Sequence, residues 1–123
     1  MTQKRLLILE DDQDLLLNMV AFFEDEGFNC VGAKSAEAAI KILEEDQFHI
    51  AIVDIGLPDM NGEVFITSVS KIHPAIKFVI HTGQNDFKLS NELKTLEIRE
   101  HHVFRKPLLD FSDLTKELIL LTN

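Results

Sequence analysis

Short apolar runs alternate along the chain with longer stretches in which apolar residues recur every three or four positions. The short runs are typical of buried strands, and the longer spacing is typical of amphipathic helices. The runs predict five strands, at residues 6–9, 28–32, 49–53, 76–80 and 102–104. Strands that alternate with helices through short connections indicate an α/β fold, a doubly wound five-stranded parallel sheet with helices on both faces.

Turn residues mark where several of the predicted helices begin or end. Ser35 is a good N-cap for the second helix, and Gly27 is expected just beyond the end of the first. Pro74 ends the third helix because it cannot donate a hydrogen bond and disfavours helix at the residue before it. The fourth helix is predicted from residue 85 to about 98, and the last from about 110 to 121. The residues expected to face inward are Leu16, Leu17, Met19, Val20 and Phe23; Ala36, Ala39, Ile40 and Leu43; Val64, Phe65, Val69 and Ile72; Leu89, Leu93 and Leu96; and Leu114, Leu118 and Leu121.

The length of 123 residues and the mass of 14.0 kDa indicate one domain, spanning 1–123. Its single cysteine, Cys30, excludes an intramolecular disulfide and fits a reducing compartment. Twelve basic against 21 acidic residues give a net charge of −9, which repels a phosphate backbone, so direct binding to nucleic acid is not expected. There is no signal-type segment, and no run approaches the ~20 apolar residues of a membrane span. We therefore expect a soluble, cytoplasmic protein that makes no membrane contact.

Polar or charged residues end four of the five predicted strands. The first ends in Glu10-Asp11, the third in Asp54, the fourth in His81-Thr82 and the fifth in Arg105-Lys106-Pro107. The carboxyl ends of parallel strands meet at one edge of a sheet, where ligands bind in this kind of fold. Packing alone would favour uncharged strand ends. The pattern therefore predicts a functional site at this edge.

Four ordered stretches of the sequence resemble the response-regulator receiver domain, the family of CheY-like phosphoacceptors. They are Leu7-Ile8-Leu9-Glu10-Asp11-Asp12, Val53-Asp54-Ile55-Gly56-Leu57-Pro58-Asp59-Met60-Asn61-Gly62, His81-Thr82-Gly83 and Phe104-Arg105-Lys106-Pro107-Leu108. Each motif alone is weak, but the set follows the family's order over essentially the whole chain. The resemblance implies a flavodoxin-like sheet of strand order 2-1-3-4-5.

The resemblance also implies a divalent cation. By similarity Asp11 is a direct ligand and Glu10 is a second acid that holds the ion, often through water. The Asp54 carboxylate and the backbone carbonyl of Gly56 would be further ligands. Two carboxylates ~4 Å apart repel by about 4 kcal/mol at an effective dielectric of 20, so such a cluster needs a cation. All-oxygen ligands favour Mg²⁺ over zinc, for which the nearby histidines have no ligand spacing.

The same resemblance makes Asp54 the phosphorylated carboxylate in two-component signal transduction. Thr82 would bind the phosphoryl group through its hydroxyl, and the Lys106 ammonium would pair first with Asp54 and then with the phosphoryl oxygens. A carboxylate nucleophile needs positioning and charge neutralisation more than acid–base help. The donor would be a histidine of a histidine kinase or of a histidine phosphotransfer protein, and the product would switch a protein-interaction surface. The domain would be no enzyme, but a phosphoacceptor that assists its own phosphorylation and dephosphorylation.

Simpler roles are open for several of these residues. An acid after the first strand could cap the following helix, whose N-terminal dipole favours negative charge, and we assign that role to Asp12 rather than to Asp11. Thr82 could be a plain strand-end residue and Lys106 a solvated cation. Each simple role is reasonable for one residue, but together they leave the ordered motifs unexplained.

The histidines are expected to be structural. His81 invites a general-base role beside Thr82, but side chains alternate along a strand, so it should point away from the side of Thr82. His101 and His102 are expected at the surface, where the fifth strand begins.

The sequence departs from the family at Val103, where the family usually has an aromatic residue three positions before the lysine. Phe104 is one residue further along and should lie on the other side of the sheet, so it cannot substitute. The interval from Thr82 to Lys106 is also slightly long. We therefore hypothesise that a shift of Thr82 is transmitted through the backbone and the fourth helix rather than through a buried aromatic side chain.

Two other functions fit parts of the sequence. A degenerate receiver could dock a partner without phosphorylation, although the presence of all the site residues argues against it. A phosphohydrolase with an aspartate nucleophile is disfavoured by a chain this short, with no cap domain or substrate-specific insertion. The sequence does not identify the kinase or the effector, and it leaves open both a homodimer and a longer parent protein.

Overall fold

The computed structural model describes residues 3–123, so the first two residues of the domain expected at 1–123 lie outside the described residues. One parallel sheet contains β1 (Arg5–Leu9), β2 (Asn29–Ala33), β3 (Ile50–Val53), β4 (Lys77–Thr82) and β5 (Val103–Arg105). Its strand order is β2-β1-β3-β4-β5. The predicted doubly wound, five-stranded parallel sheet is confirmed.

Helices cover both faces of the sheet. They are α1 (Gln13–Asp25), α2 (Ala36–Glu45), α3 (Gly62–Ile72), α4 (Asn91–Thr95), a short 3₁₀-helix (Glu100–His102) and α5 (Ser112–Thr122). Helices α2, α3 and α4 share one buried cluster with one face of the sheet, and α1 and α5 share a second cluster with the other face. Over residues 3–123, no helix has both the length and the apolar character needed to cross a membrane.

The two central strands β1 and β3 align the strand ends that form the site. Leu9, the last residue of β1, pairs with Val53, and Val53 pairs in turn with Ile80. All three side chains are at most 1% exposed. Burying one Leu, Ile or Val side chain stabilises a fold by about 1.5–3 kcal/mol, so these strands hold the residues that follow them in fixed positions.

The helix ends predicted from capping and turn residues in the first three helices are confirmed. The Ser35 hydroxyl accepts a hydrogen bond from the Ala38 N–H, and Asp12 caps α1 by accepting from Leu15. Gly27 follows α1 with a φ of 100°, which glycine adopts without strain. Helix α3 ends at Ile72, shortly before the proline.

The fourth helix is much shorter than predicted, at 91–95 rather than 85–98. The Arg105 guanidinium donates to the backbone carbonyls of Gln84 and Phe87, which in a continuous helix would accept from residues 88 and 91. Phe87 and Leu89 are buried at 9% and 8% exposure. Apolar spacing predicted a longer helix here, but these contacts hold residues 84–90 in a non-helical path.

The fifth strand is also displaced from its predicted position. His102 belongs to the 3₁₀-helix, and the strand runs from Val103 to Arg105 instead of from 102 to 104. Four residues expected to face inward are exposed: Leu17, Val64, Ile72 and Leu96. The first three lie on solvent-facing sides of α1 and α3, and Leu96 lies just beyond the end of α4.

Candidate functional site

Asp54 comes directly after β3 and is held by the backbone on both sides. Its N–H donates to the Leu9 carbonyl at 3.3 Å, and its Oδ1 accepts from the Gly56 N–H at 3.0 Å. The residue is only 5% exposed. The end of a fully buried strand and the turn after it therefore fix this carboxylate at the edge of the sheet.

Lys106 reaches the same carboxylate from the end of β5. Its Nζ donates to Asp54 Oδ2 at 3.0 Å and lies 2.6 Å from Glu10 Oε1 in an ion pair. Burial alone would lower the pKa of Lys106, but its contacts with Glu10 and Asp54 raise that pKa above the usual value. The ammonium is therefore charged at neutral pH and links three strands of the sheet.

Glu10 is a buried acid, 1% exposed, at the end of β1. Its Oε2 accepts from the Asp12 N–H at 3.0 Å. Its Oε1 has an ion-pair contact with Lys106 but no partner in hydrogen-bond geometry among residues 3–123. Burial raises the pKa of Glu10 above its usual value, and the contact with Lys106 opposes this shift. An incompletely satisfied buried carboxylate oxygen is the feature that a bound cation would complete.

Glu10, Asp11 and Asp54 form a cluster in which one carboxylate oxygen of each lies within 4.8 Å of the others. Asp11 is exposed, whereas the other two acids are buried. Within residues 3–123, Lys106 is the one ammonium that pairs with these acids, so the site has an excess of negative charge. The donors are all oxygens, and one acid is open to solvent, which suits a divalent cation that keeps several waters, such as Mg²⁺.

Thr82 is fully buried at the end of β4, and its Oγ1 accepts from the Gln84 N–H at 3.0 Å. Its carbonyl accepts from the Lys106 N–H at 2.8 Å. These bonds place Thr82 at the same edge as the acids, beside the strand that carries the lysine. The proposed site residues thus come from β1, β3, β4 and β5, as the sequence predicted.

Two residues near the site have contacts that the sequence did not indicate. The Gln84 amide nitrogen approaches within 3.5 Å of the place that a Cβ would occupy on Gly56. A Cβ on Gly62 would lie 2.5 Å from the Asp54 carbonyl oxygen and 2.8 Å from Ile55 Cα. In the sequence, Gly62 is only the end of the stretch that resembles the family, whereas the structure shows that its lack of a side chain lets α3 begin against the Asp54 backbone.

His81 lies on the opposite side of the sheet from Thr82, as predicted. It is 2% exposed and lies edge-on to Phe111, with ring centroids 6.3 Å apart. Neither ring nitrogen has a hydrogen-bond partner within the described part of the chain. Burial, assisted by the charge of Lys106, lowers the pKa of His81 to about 4. This histidine is therefore neutral at neutral pH and belongs to the core.

A second group of possible metal ligands lies away from the sheet edge and contains His101, His102 and Glu117. His102 Nδ1 accepts from the Arg99 N–H at 3.0 Å, so the proton of the neutral ring is on Nε2, which faces Glu117 at 3.8 Å. A metal bound at Nε2 would require the opposite tautomer. His102 thus acts as a buried cap, and the expectation that it lies at the surface was wrong, whereas His101 is exposed.

Val103 and Phe104 pack on opposite sides of the sheet. Val103 joins the cluster that contains Ile80, on the face covered by α2–α4, whereas Phe104 joins the cluster of α1 and α5. The prediction that Phe104 cannot replace an aromatic side chain at position 103 is confirmed by this packing. The face that carries Thr82 therefore has a small valine beside it.

The family model for the response regulator receiver domain matches residues 6–119. The uncharacterized transcriptional regulatory protein YesN of Bacillus subtilis is 27% identical over 106 residues, which cover 84% of this chain and 28% of YesN. A CheY-like receiver domain protein from Methanospirillum hungatei is similar in structure, with a TM-score of 0.79 and 27% identity over 97% of this chain and 93% of that one.

The Thermotoga maritima response regulator TrrA, solved in complex with Mg(2+)-BeF, has a TM-score of 0.83 to this chain. It is 18% identical, and the match covers 97% of this chain and 99% of TrrA, so this similarity concerns the fold alone. The chain spans 28% of the length of YesN. What YesN does as a whole protein therefore does not extend directly to this chain.

Proposed function

Because this chain belongs to the response regulator receiver domain family of two-component signalling, we propose that Asp54 is the residue that accepts the phosphoryl group. The donor is a phosphohistidine of a histidine kinase or of a histidine phosphotransfer protein. The observation that carries this assignment is the contact of Asp54 Oδ2 with Lys106 Nζ at 3.0 Å, beside the buried Glu10. A nucleophilic carboxylate at a buried edge, with a cation already paired to it, suits phosphoryl transfer.

In the proposed reaction an Asp54 carboxylate oxygen attacks phosphorus, the phosphorus–nitrogen bond of the phosphohistidine breaks, and the imidazole leaves with the bonding electron pair. The Lys106 ammonium exchanges its contact with the carboxylate for one with the transferred phosphoryl oxygens. The Thr82 hydroxyl donates to another of those oxygens. These residues position and neutralise the group, which is how the chain assists its own phosphorylation and the later hydrolysis of the acyl phosphate.

Glu10, Asp11 and Asp54 would hold Mg²⁺, with the Gly56 carbonyl as the ligand implied by the family resemblance. The ion supplies positive charge against the three carboxylates and the incoming phosphoryl oxygens. The clustered carboxylate oxygens and the incompletely satisfied Oε1 of Glu10 support this assignment. Removal of the divalent cation with a chelator should therefore prevent phosphorylation.

The partners of the domain are a histidine kinase or phosphotransfer protein and an effector domain or protein that reads the phosphorylated state. The net charge of −9 disfavours direct contact with nucleic acid. A cytoplasmic location stays a prediction, and so does the extent of the domain over the whole 123 residues. A homodimer is not required by any feature of the site.

The test is labelling by a small phosphodonor, radiolabelled acetyl phosphate with Mg²⁺. We expect Asp54→Asn to abolish labelling because an amide is a poor nucleophile, while Asp113→Asn, an exposed change on α5, should be labelled like the wild type. Label on Asp54→Asn would show that another residue is the acceptor. A wild-type protein that takes up no label at any Mg²⁺ concentration would instead favour phosphorylation-independent docking.

A further inference from the structure

Arg105 joins the end of β5 to the loop that leaves β4. Its Nη1 donates to the Gln84 carbonyl at 3.0 Å, and its Nη2 donates to the Phe87 carbonyl at 2.8 Å. The guanidinium carbon also lies 5.9 Å from the centre of the Phe87 ring. We call these contacts the Arg105 clamp. They connect residues 18 and 21 positions apart in sequence through one side chain.

The clamp provides hydrogen-bond donors to carbonyl groups that lie outside the helices and strands. The segment 84–90 contains no regular helix or strand, and α4 begins only at Asn91. Phe87 anchors the segment in the core, and its N–H donates to the Gln84 carbonyl at 3.2 Å. The path of this segment therefore depends on the buried Phe87 and Leu89 and on the two hydrogen bonds from Arg105.

The clamped segment begins at the residue that contacts Thr82. The Gln84 N–H donates to Thr82 Oγ1, and the carbonyl of the same Gln84 accepts from Arg105. Arg105 is also the register partner of Thr82 in the sheet. A displacement of the Thr82 hydroxyl thus acts on Gln84, and through Gln84 on the Arg105 clamp.

We propose that Arg105 is a positioning residue that holds segment 84–90 in its resting conformation, and that phosphorylation of Asp54 weakens this clamp through Thr82 and Gln84. This inference rests on the proposed function. When Thr82 turns its hydroxyl towards a phosphoryl group, Gln84 moves with it, and the Arg105 hydrogen bonds to Gln84 and Phe87 lengthen. The exposed part of the segment, which includes Asn85, Asp86 and Lys88, then changes its shape and presents a different surface to a partner.

The Arg105 clamp connects Thr82 to segment 84–90 in a chain that has a valine, not an aromatic residue, at position 103. Val103 packs on the same side of the sheet as Ile80. Its side chain has only two methyl groups, so it is too short to change rotamer in response to a moving hydroxyl as an aromatic ring could. Arg105 projects from the same strand two residues later and reaches the loop directly. The coupling therefore passes through backbone carbonyls and a guanidinium, not through an aromatic rotamer.

The first test measures the resting state by amide hydrogen exchange without phosphodonor. In Arg105→Gln we expect the Gln84 and Phe87 amides to exchange about tenfold faster than in the wild type, because charge-assisted hydrogen bonds that hold the segment are lost. Arg105→Lys, which can replace only one of the two contacts, should give an intermediate rate. Equal rates in wild type and Arg105→Gln would overturn the proposal.

Arg99→Gln is the matched control. Arg99 also donates to a backbone carbonyl, that of Lys94 at 3.0 Å, so the change removes the same charge and a similar contact at the far end of α4. It should leave exchange at Gln84 and Phe87 unchanged. If Arg105→Gln does not fold, NMR can measure the rotation of the Arg105 guanidinium in the wild type. Rotation that is slow in the resting state and faster with beryllofluoride would support the clamp. Free rotation in both states would refute it.

The second test adds Mg²⁺ and beryllofluoride, a phosphoryl analogue, and follows amide chemical shifts. In the wild type we expect shifts at Gly56 and Gly83 beside the site and at Phe87 and Lys88 in the segment. In Arg105→Gln the site shifts should persist while the segment shifts fall to less than half. Segment shifts of wild-type size in that variant would refute the coupling. No shift at Gly56 or Gly83 in the wild type would contradict the proposed function itself. The exchange rates of the first test would then still show whether Arg105 holds the segment.

Discussion

The chain from β1 to β3 and the chain from β4 to β5 contribute to the same site in different ways. In the first region, Glu10 and Asp54 extend from strands whose side chains are almost completely buried. In the second region, residues 83–102 contain one short helix and one 3₁₀-helix, and Arg99 and Arg105 bind backbone carbonyls there. The comparison indicates that the acidic centre is rigid, whereas the segment beside it depends on a few separable contacts.

The largest effect is expected where the two regions meet, at Lys106. Lys106→Met leaves the buried acids Glu10 and Asp54 without their cation, and losing one partner of a buried ion pair costs about 3–5 kcal/mol. The free energy of unfolding, measured in urea without divalent cations, should fall by about this amount. Mg²⁺ should reduce the loss, because it supplies positive charge to the same carboxylates.

Lys116→Met is the control for this prediction. Its side chain is 77% exposed and lies 3.9 Å from Asp113, so its removal should change stability by no more than about 0.5 kcal/mol. If Lys106→Met lost no more stability than this control, the acidic centre would not depend on the lysine. A loss of the same size with and without Mg²⁺ would contradict the cation assignment.

The next effect tests whether the polar groups that β4 buries in the core are as well hydrogen-bonded as those of β1 and β3. The pKa of His81 is about 4 in the folded chain, because of burial, against an ordinary 6.5 in the unfolded chain. Between pH 6.5 and pH 4 the unfolded chain binds a proton at His81 more readily than the folded chain does. The free energy of unfolding therefore decreases as the pH falls through this range. Below pH 4 His81 is protonated in both states and causes no further decrease. The difference in unfolding free energy between wild type and His81→Leu should change by roughly 3 kcal/mol over this range.

At neutral pH, His81→Leu should also be the more stable protein, by about 1–2 kcal/mol. The change removes two buried ring nitrogens that have no hydrogen-bond partner among the described residues. Urea unfolding at several pH values measures both effects. His101→Leu, which changes an exposed ring, should alter stability at neutral pH by no more than about 0.5 kcal/mol. A parallel pH dependence in wild type and His81→Leu would show that the buried ring titrates normally.

The first region was predicted well from the sequence because its strands and helix caps are determined by residues close together in the chain. Apolar runs set the strands, and parallel topology alone is enough to bring the residues after Leu9 and Val53 to one edge. Caps such as Ser35 depend on contacts within three residues. The acidic cluster and its lysine were therefore predictable as a group, even though no single motif identified them.

The second region was predicted less well, and for its helix the reason is that long-range contacts override the local pattern. Leu89, Leu93 and Leu96 have helical spacing, but Arg105 takes carbonyls that the first turn of that helix would need. A pair of adjacent histidines indicates a surface, yet His102 is buried because its Nδ1 accepts from the Arg99 backbone. The Arg105 contacts join residues 21 and 18 positions apart, so neighbours in sequence do not reveal them. The contact of His102 spans only three residues, and no signal in the sequence pointed to it.

The smallest effect compares two serines with the same local role in the two regions. Ser35 caps α2 through Ala38, and Ser90 caps α4 through Leu93 at 3.2 Å. Loss of such a cap costs about 1 kcal/mol. In Ser35→Ala we expect this loss in the global free energy of unfolding, because α2 has ten residues and buries Ala36, Ala39 and Leu43, whereas α4 buries only Leu93.

In Ser90→Ala we expect the loss to be local. Helix α4 has only five residues, and so short a helix opens without unfolding the domain. Amide exchange at Leu93 and Lys94 should accelerate about fivefold while the urea midpoint stays within experimental error of the wild type. An equal loss of global stability in both serine variants would mean that α4 is as tightly coupled to the core as α2, and that the segment beside Thr82 is not the separable part of the site.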